Sequence, residues 1–244
     1  MMPEHFWREL CSAFGYTTIV RTNGEPTMWY RFLGDRGVGR FVREDPVRSS
    51  DRVHIGHSIS DLIDDVHLSV ALHAQGHVFV HSGVVEWHGK AILIPGRSRS
   101  GKSTLVHALV EQGATYLSDE YALITATGSV APYARPIQLR SGSKRTVVDP
   151  RVIGSVGVNT IEPSLILFTR YEEHAEFDPT PVLPASAALG LFDNTVVAEV
   201  QPSVATAAAA RVARSALALR TARPDAVLVA AAILRLAEEG GSTT

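Results

Sequence analysis

The chain has one cysteine among its 244 residues. That thiol, Cys11, cannot form an intrachain disulfide, so the fold is expected to rest on a hydrophobic core in a reducing cytoplasm. Cys11 falls within an expected N-terminal helix and reads as structural. No stretch approaches the ~18 uncharged apolar residues that a membrane span needs. Val227 to Leu234 comes nearest, and Arg235 follows it. The opening Met1-Met2-Pro3-Glu4-His5 carries an acid and lacks the apolar segment of a secretory signal. No dense run of Lys or Arg is present, and 23 basic against 25 acidic residues give a formal net charge of -2. Nucleic acid and membrane are therefore not expected partners. No internal repeat is present. What remains is 45% apolar residues, enough for one large domain or one domain with a small appendage.

Against these absences stands Gly96-Arg97-Ser98-Arg99-Ser100-Gly101-Lys102-Ser103. It matches the phosphate-binding loop G-x-x-x-x-G-K-[ST] at every fixed position. Ala91-Ile92-Leu93-Ile94 before it reads as a buried strand, and Thr104 to Gln112 after it reads as a helix. Two glycines let the backbone turn sharply and bring its N–H groups to phosphate oxygens. The helix N-terminus adds partial positive charge. Residues 96–104 are thus the expected nucleotide-binding set, with Lys102 on the β- and γ-phosphates and the Ser103 hydroxyl on Mg²⁺.

Hydrophobic periodicity predicts a helix over 3–14, strands over 16–20 and 27–33 joined across Asn23-Gly24, and loops over 34–58 with a strand near 39–43. A helix is expected from Ser60, its N-cap, to Gln75, ended by Gly76. Strands follow over 77–81 and 84–87, and His88-Gly89 turns into the strand that feeds the loop. Further strands are expected over 114–117, 121–125 and 164–170. The run 130–139 is extended by Pro132 and Pro136, and a loop or edge falls at 179–181. Helices are expected within 204–219 and over 224–239, ahead of a frayed tail. Paired strands before the loop argue for a mixed sheet over a purely parallel one. The expected organisation is an N-terminal α+β segment, 1–76, packed on a phosphate-loop catalytic domain, 77–244.

Asp119-Glu120 ends the strand that follows the loop helix. Phosphoryl transfer to a hydroxyl needs an acid beside the metal and a carboxylate that accepts the acceptor's proton. Asp119 is the expected base and Glu120 a metal-side ligand with Ser103. His81 ends a strand from which it could orient Asp119 or touch the acceptor's phosphate. The spacings His54/His57 and His73/His77/His81 also occur in zinc sites. No cysteine or carboxylate completes either set, and an oxygen-lined Mg²⁺ site needs no histidine.

His81-Ser82-Gly83, the loop with its flanking strand and helix, and Gly113-Ala114-Thr115-Tyr116-Leu117-Ser118-Asp119-Glu120 together resemble the catalytic core of HPr kinase/phosphorylase. The similarity is closer to the broader set of HPr-kinase-related proteins, over about residues 77–140. It implies an α/β phosphoenolpyruvate-carboxykinase-like phosphate-loop fold with a mixed sheet and flanking helices, and ATP and Mg²⁺ as cofactors. Asp119 matches the acid that serves as base toward serine in that family. Glu120 stands where the family has a second Asp, and His81 matches the histidine near the base. Arg97 and Arg99 have no counterpart, and Arg140 to Arg145 lie where the family brings basic residues toward phosphate. Only 76 residues precede the core, and the family's downstream phosphorylase signature is missing. Short forms of this kind are similar to serine kinases that tailor ribosomally made peptides such as lasso peptides.

The expected function is ATP-dependent phosphorylation of a hydroxyl, with a serine of a peptide or small protein as acceptor. A peptide acceptor would occupy a groove from residues 135–160, and the C-terminal helices could build a homo-oligomer interface. Two alternatives stay open: a kinase of free serine or a sugar, and a nucleotide-binding regulatory protein without catalysis.

Overall fold

The computed structural model describes residues 29–35, 38–44, 52–96, 100–141 and 144–240. The expected helix over 3–14, the strand over 16–20, the Asn23-Gly24 turn and Cys11 lie outside them, as does the tail beyond Gly240. The chain divides into two compact units, Met1–His73 and Ala74–Thr244.

In the first unit, strands β1 (Trp29–Asp35), β2 (Val38–Glu44) and β3 (Arg52–Gly56) form an antiparallel sheet in that order, followed by helix α1 (Ile59–His73). β2 falls where a strand was expected near 39–43 and buries Phe41 against Ile59 and Leu62, whereas β3 replaces part of the loop expected over 34–58. Helix α1 starts at a reciprocal cap. The Asp61 N–H donates to Ser58 Oγ at 3.1 Å, and the Ser58 N–H donates to Asp61 Oδ2 at 3.0 Å. Ser58 is the capping residue in place of the expected Ser60, because only Ser58 has an acid at the box spacing. Arg43 joins sheet to helix through Asp65 at 2.8 Å.

The second unit runs β4 (His77–Trp87), β5 (Lys90–Pro95), α2 (Lys102–Glu111), β6 (Thr115–Ser118), β7 (Tyr121–Thr125), β8 (Val130–Ala131), β9 (Ile137–Ser141), β10 (Lys144–Val148), α3 (Pro150–Ile153), β11 (Glu162–Tyr171), β12 (Thr180–Pro181), α4 (Pro184–Phe192), α5 (Pro202–Ser215), β13 (Leu217–Arg223) and α6 (Ala226–Gly240). Its main sheet has the order β12-β13-β11-β5-β4-β7-β8, with β6 also paired to β4. β13, β11 and β5 are mutually parallel. β4 runs antiparallel to β5, β6 and β7. The architecture is α/β with a mixed sheet and flanking helices. Ile92, Leu93, Leu105, Leu109, Leu165 and Leu167 are fully buried at its centre. No helix among the described residues is long and apolar enough to cross a membrane.

Strand β4 is continuous where the sequence suggested two strands. Its first half pairs with β7 and its second half with β5. Ser82, at the change of partner, is fully buried. Its hydroxyl accepts the Ile94 N–H at 3.1 Å and donates to the Gly83 carbonyl at 2.8 Å, so no polar group is stranded there. The β4–β5 turn has His88 at φ 49° and Gly89 at φ 76°, the two positive φ values of a type I′ hairpin.

The C-terminal third departs further. The alanine-rich run expected to be helical to residue 219 leaves the helix at Ser215, and Leu217–Arg223 forms β13. Parallel pairing with β11, from Leu165 opposite Leu217 onward, overrides the helix preference of Leu, Ala and Arg. Helix α4 was not anticipated. Pro184 opens it from within a proline-bearing stretch that reads as loop.

Gly83 fixes how closely α2 approaches β4, since a Cβ there would meet Val106 Cγ2 at 2.6 Å. Gly83→Val is expected to lower unfolding free energy by about 1–3 kcal/mol through overpacking. Thermal denaturation checks this; an unchanged midpoint would mean that the helix tolerates displacement.

Candidate functional site

The site forms where three chain segments end together: the loop after β5, the N-terminus of α2, and the β6–β7 turn. Gly101 begins α2 with φ 84° and ψ 14°, a left-handed conformation that costs a non-glycine residue. Gly101 at the N-cap has no side chain to cap this helix, so no cap among the described residues occupies its first N–H groups. A Cβ on Gly96 would meet Ser100 Oγ at 2.8 Å, and one on Gly101 would meet Arg223 Nη2 at 2.6 Å. Gly101 is required by its positive φ, while both glycines keep the backbone close to these polar side-chain ends. Ser100 Oγ is buried with no hydrogen-bond partner among the described residues. An orphaned donor and an uncapped helix start beside a glycine turn fit a polyphosphate.

Lys102 is 7% exposed, and its Nζ donates to the Gly96 carbonyl at 2.7 Å, spanning the loop. Burial pushes the Lys102 ammonium below its ordinary value, opposed by the charges of Glu120 and Asp119. The Ser103 hydroxyl lies close enough to Asp119 to favour the charged form of that carboxyl. Thr104 is exposed in the first helical turn. Arg97, Ser98 and Arg99 lie outside the described residues, as do the side chains of Arg140 and Arg145.

Asp119 is 4% exposed. Tyr116 Oη donates to its Oδ1 at 3.2 Å, and the Gln138 N–H donates to its Oδ2 at 3.4 Å. Burial, reinforced by the Glu120 charge, raises its proton affinity, while Arg135, Ser103 and the Gln138 amide oppose this. Glu120 goes the other way. Burial would raise its value, but hydrogen bonding to His81 and the charges of Lys102, Arg135 and His81 outweigh it, and the net shift is downward. The two neighbouring carboxyls are thus pushed apart in acidity.

His81 Nδ1 lies 3.5 Å from Glu120 Oε1. The sequence placed this histidine beside Asp119. The correction follows from register: His81 pairs with Tyr121 across β4–β7, which brings its ring to the residue preceding Tyr121. Tyr121 holds that ring at a centroid distance of 4.9 Å. The His81 carbonyl also accepts the Gly96 N–H at 3.1 Å, so β4 ties the acid pair to the start of the loop. All the oxygen donors here, Ser103 Oγ and the two carboxylates, suit Mg²⁺.

Two functional side chains were missed in the sequence. Arg135, 8% exposed, supplies positive charge to both acids; its place between Pro132 and Pro136 was read only as extended chain. Arg223, 1% exposed, ends β13 and donates from Nη2 to the Gly101 carbonyl at 2.9 Å and from Nη1 to the Pro224 carbonyl at 3.0 Å. Its guanidinium lies 5.9 Å from the Tyr171 ring centre. Burial lowers the guanidinium's value, with Asp225 and Tyr171 opposing. No motif marks it, because a strand far along the chain delivers it.

No family model and no curated protein matches the chain. Among solved structures, it is similar to the Hpr(Ser) kinase/phosphatase of Coxiella burnetii. The identity is 16% and the TM-score 0.37, over 66% of this chain and 94% of that one. Likeness of this degree assigns no role to any residue.

Arg223→Met removes the brace on Gly101. Loss of a bond to a charged donor is expected to weaken binding of a fluorescent ATP analogue by about tenfold. Unchanged affinity would mean that the loop holds its shape alone. Asp119→Asn tests the buried charge. The Asp119 carboxyl holds its proton more tightly folded than unfolded. It contributes stability below the usual carboxylate range, and that contribution is lost as pH rises through its raised folded value. At neutral pH the charge opposes folding, so Asp119→Asn should melt at a higher temperature than wild type, with the difference vanishing in acid.

Proposed function

We propose that the protein is an ATP-dependent kinase that transfers the γ-phosphoryl group to a hydroxyl, with a serine of a peptide or small protein as acceptor, in the cytoplasm. On this reading it is a short HPr-kinase-like, phosphoenolpyruvate-carboxykinase-like phosphate-loop enzyme that tailors a ribosomally made peptide. The observation that carries the reading is the convergence of Lys102 and Ser103 with a carboxyl pair whose members differ in acidity. Pairs of this kind separate proton acceptor from permanent charge.

The acceptor oxygen bonds to the γ-phosphorus as the bridging P–O bond breaks and its electron pair leaves on ADP. The hydroxyl proton passes to Asp119, whose raised proton affinity suits a base, and then to solvent. Glu120, kept ionised by His81 and Lys102, faces the metal side with Ser103. Ser103 and Glu120 would hold Mg²⁺, which when bound would supply charge neutralisation to the triphosphate. Lys102 and the α2 amides stabilise charge on the transferring oxygens, and positioning carries the rest.

One observation favours a second reading in which the two acids exchange roles. Asp119 is nearly inaccessible and lies close to Ser103, the place of a metal-side acid, whereas the Glu120 side chain is 39% exposed beside His81. Transfer from labelled ATP to serine peptides, titrated with Mg²⁺, separates the two. The first reading expects Asp119→Asn to lose about 10²–10⁴-fold in kcat at every Mg²⁺ concentration, and Glu120→Gln to be partly rescued by excess Mg²⁺. Rescue of Asp119→Asn alone would exchange the roles. Nucleotide binding with no transfer to peptide, free serine or sugar would leave a regulatory protein.

A further inference from the structure

Beside the loop opens a cavity of about 480 Å³ at the C-terminal ends of β5, β11 and β13. Among the described residues, none of those lining it comes from 135–160, where a peptide groove was expected, and the lining includes Arg170 and Arg220 but no carboxylate. Arg220 lies with its guanidinium 5.7 Å from the centre of the Phe168 ring and makes no ion pair among the described residues. Arg170 pairs only with Glu172, and its side chain is 77% exposed; such surface pairs are weak and easily exchanged. Behind its wall, Thr169 Oγ1 and Asn194 Oδ1 are buried without hydrogen-bond partners among the described residues. Native proteins rarely leave such atoms unpaired unless a ligand or water satisfies them.

Position identifies the occupant. Lys102, whose motif role is on the β- and γ-phosphates, donates to Gly96, and Gly96 is part of the cavity wall. The cavity therefore borders the start of the loop. On its other side, the Asn194 carbonyl accepts the His81 N–H at 2.7 Å, and His81 is the partner of Glu120. The cavity wall thus touches the first residue of the phosphate loop and, through Asn194, the strand whose histidine meets the acid pair, so a ligand here would lie next to both without contacting the acids in this structure. Parallel strand ends are also where open α/β sheets bind ligands.

We infer that this cavity is the acceptor subsite, and that its two arginines select a hydroxyl flanked by carboxylate. The inference rests on the kinase reading and names the substrate chemistry of that site. Arginine engages carboxylate through paired N–H donors, and Phe168 offers an apolar face for the stem of the acidic residue. A hydroxyl beside carboxylate is found in an acidic serine peptide and in a small hydroxy acid, so both are tested.

The experiment measures binding first and turnover second. A fluorescein-labelled Ala-Ala-Asp-Ser-Asp-Ala-Ala peptide, its Asn-for-Asp counterpart and malate as competitor are titrated against the full chain, with and without a saturating non-hydrolysable ATP analogue and Mg²⁺. Transfer from labelled ATP is then read on the same compounds. The acidic peptide should bind about tenfold tighter than the Asn peptide, and Arg170→Gln and Arg220→Gln should each reduce that preference while leaving ATP-analogue affinity intact. Preference for the peptide over malate assigns a peptide source; the reverse assigns a hydroxy acid. Equal binding of both peptides, preference unaffected by either arginine, or exclusion of the peptide by the nucleotide analogue overturns the inference. Arginine-dependent binding without transfer would sustain the subsite and sink the kinase reading, whereas transfer indifferent to both arginines would do the opposite.

Discussion

The proximity of the Ser103 hydroxyl to the Asp119 carboxylate, which favours the charged form of that acid, joins the helix that follows the phosphate loop to the turn that carries both acids. The rest of the site follows from it. It requires α2 to lie close against β4, which Gly83 permits by lacking a Cβ that would strike Val106. It requires β6 to bring residue 119 to the loop's edge, which pairing with β4 achieves. β4 is thus the common ruler: one strand pairs with the loop strand β5, with β6 and with β7, and contributes His81 at the point where its partners change.

The cluster is costly in stability terms. Lys102, Asp119 and Arg135 are each under a tenth exposed, and burial works against the charged forms of Lys102 and Asp119. Mutual attraction offsets only part of such a penalty. Ser100 Oγ and Arg223 Nε remain without partners. Departures from polar satisfaction gathered around one loop are the mark of a site built for a charged ligand, since binding supplies what the free protein lacks. Arg223 acts from outside the motif, holding the Gly101 carbonyl.

The loop, its strand and helix, and the acid pair were legible because each rests on local chemistry: glycines at fixed spacing, an apolar run before them, and two carboxylates at a strand end. The His88-Gly89 turn was legible for the same reason. What escaped the sequence was set by distant pairing. Leu217–Arg223 has the composition of a helix and becomes a strand because β11 offers a parallel edge; with it went Arg223 and the Arg220 wall of the cavity. His81 was recognised as part of the site but set beside the wrong acid, because the β4–β7 register decides which carboxylate its ring meets. The Ser82-Gly83 pair reads as a break and is instead a place where a buried hydroxyl repairs the ladder.

The central claim is that the loop amides and Lys102 hold a triphosphate with its outer phosphorus facing the acid pair. A crystal structure with a non-hydrolysable ATP analogue and Mg²⁺ tests this most directly. The account predicts that Lys102 Nζ leaves the Gly96 carbonyl for the β- and γ-phosphate oxygens, with the metal on Ser103 and an Asp119 or Glu120 carboxylate within hydrogen-bonding reach of the γ-phosphoryl group or of a water beside it. A triphosphate bound with its γ end turned away from residues 119 and 120, or Lys102 still fixed on Gly96, would contradict it.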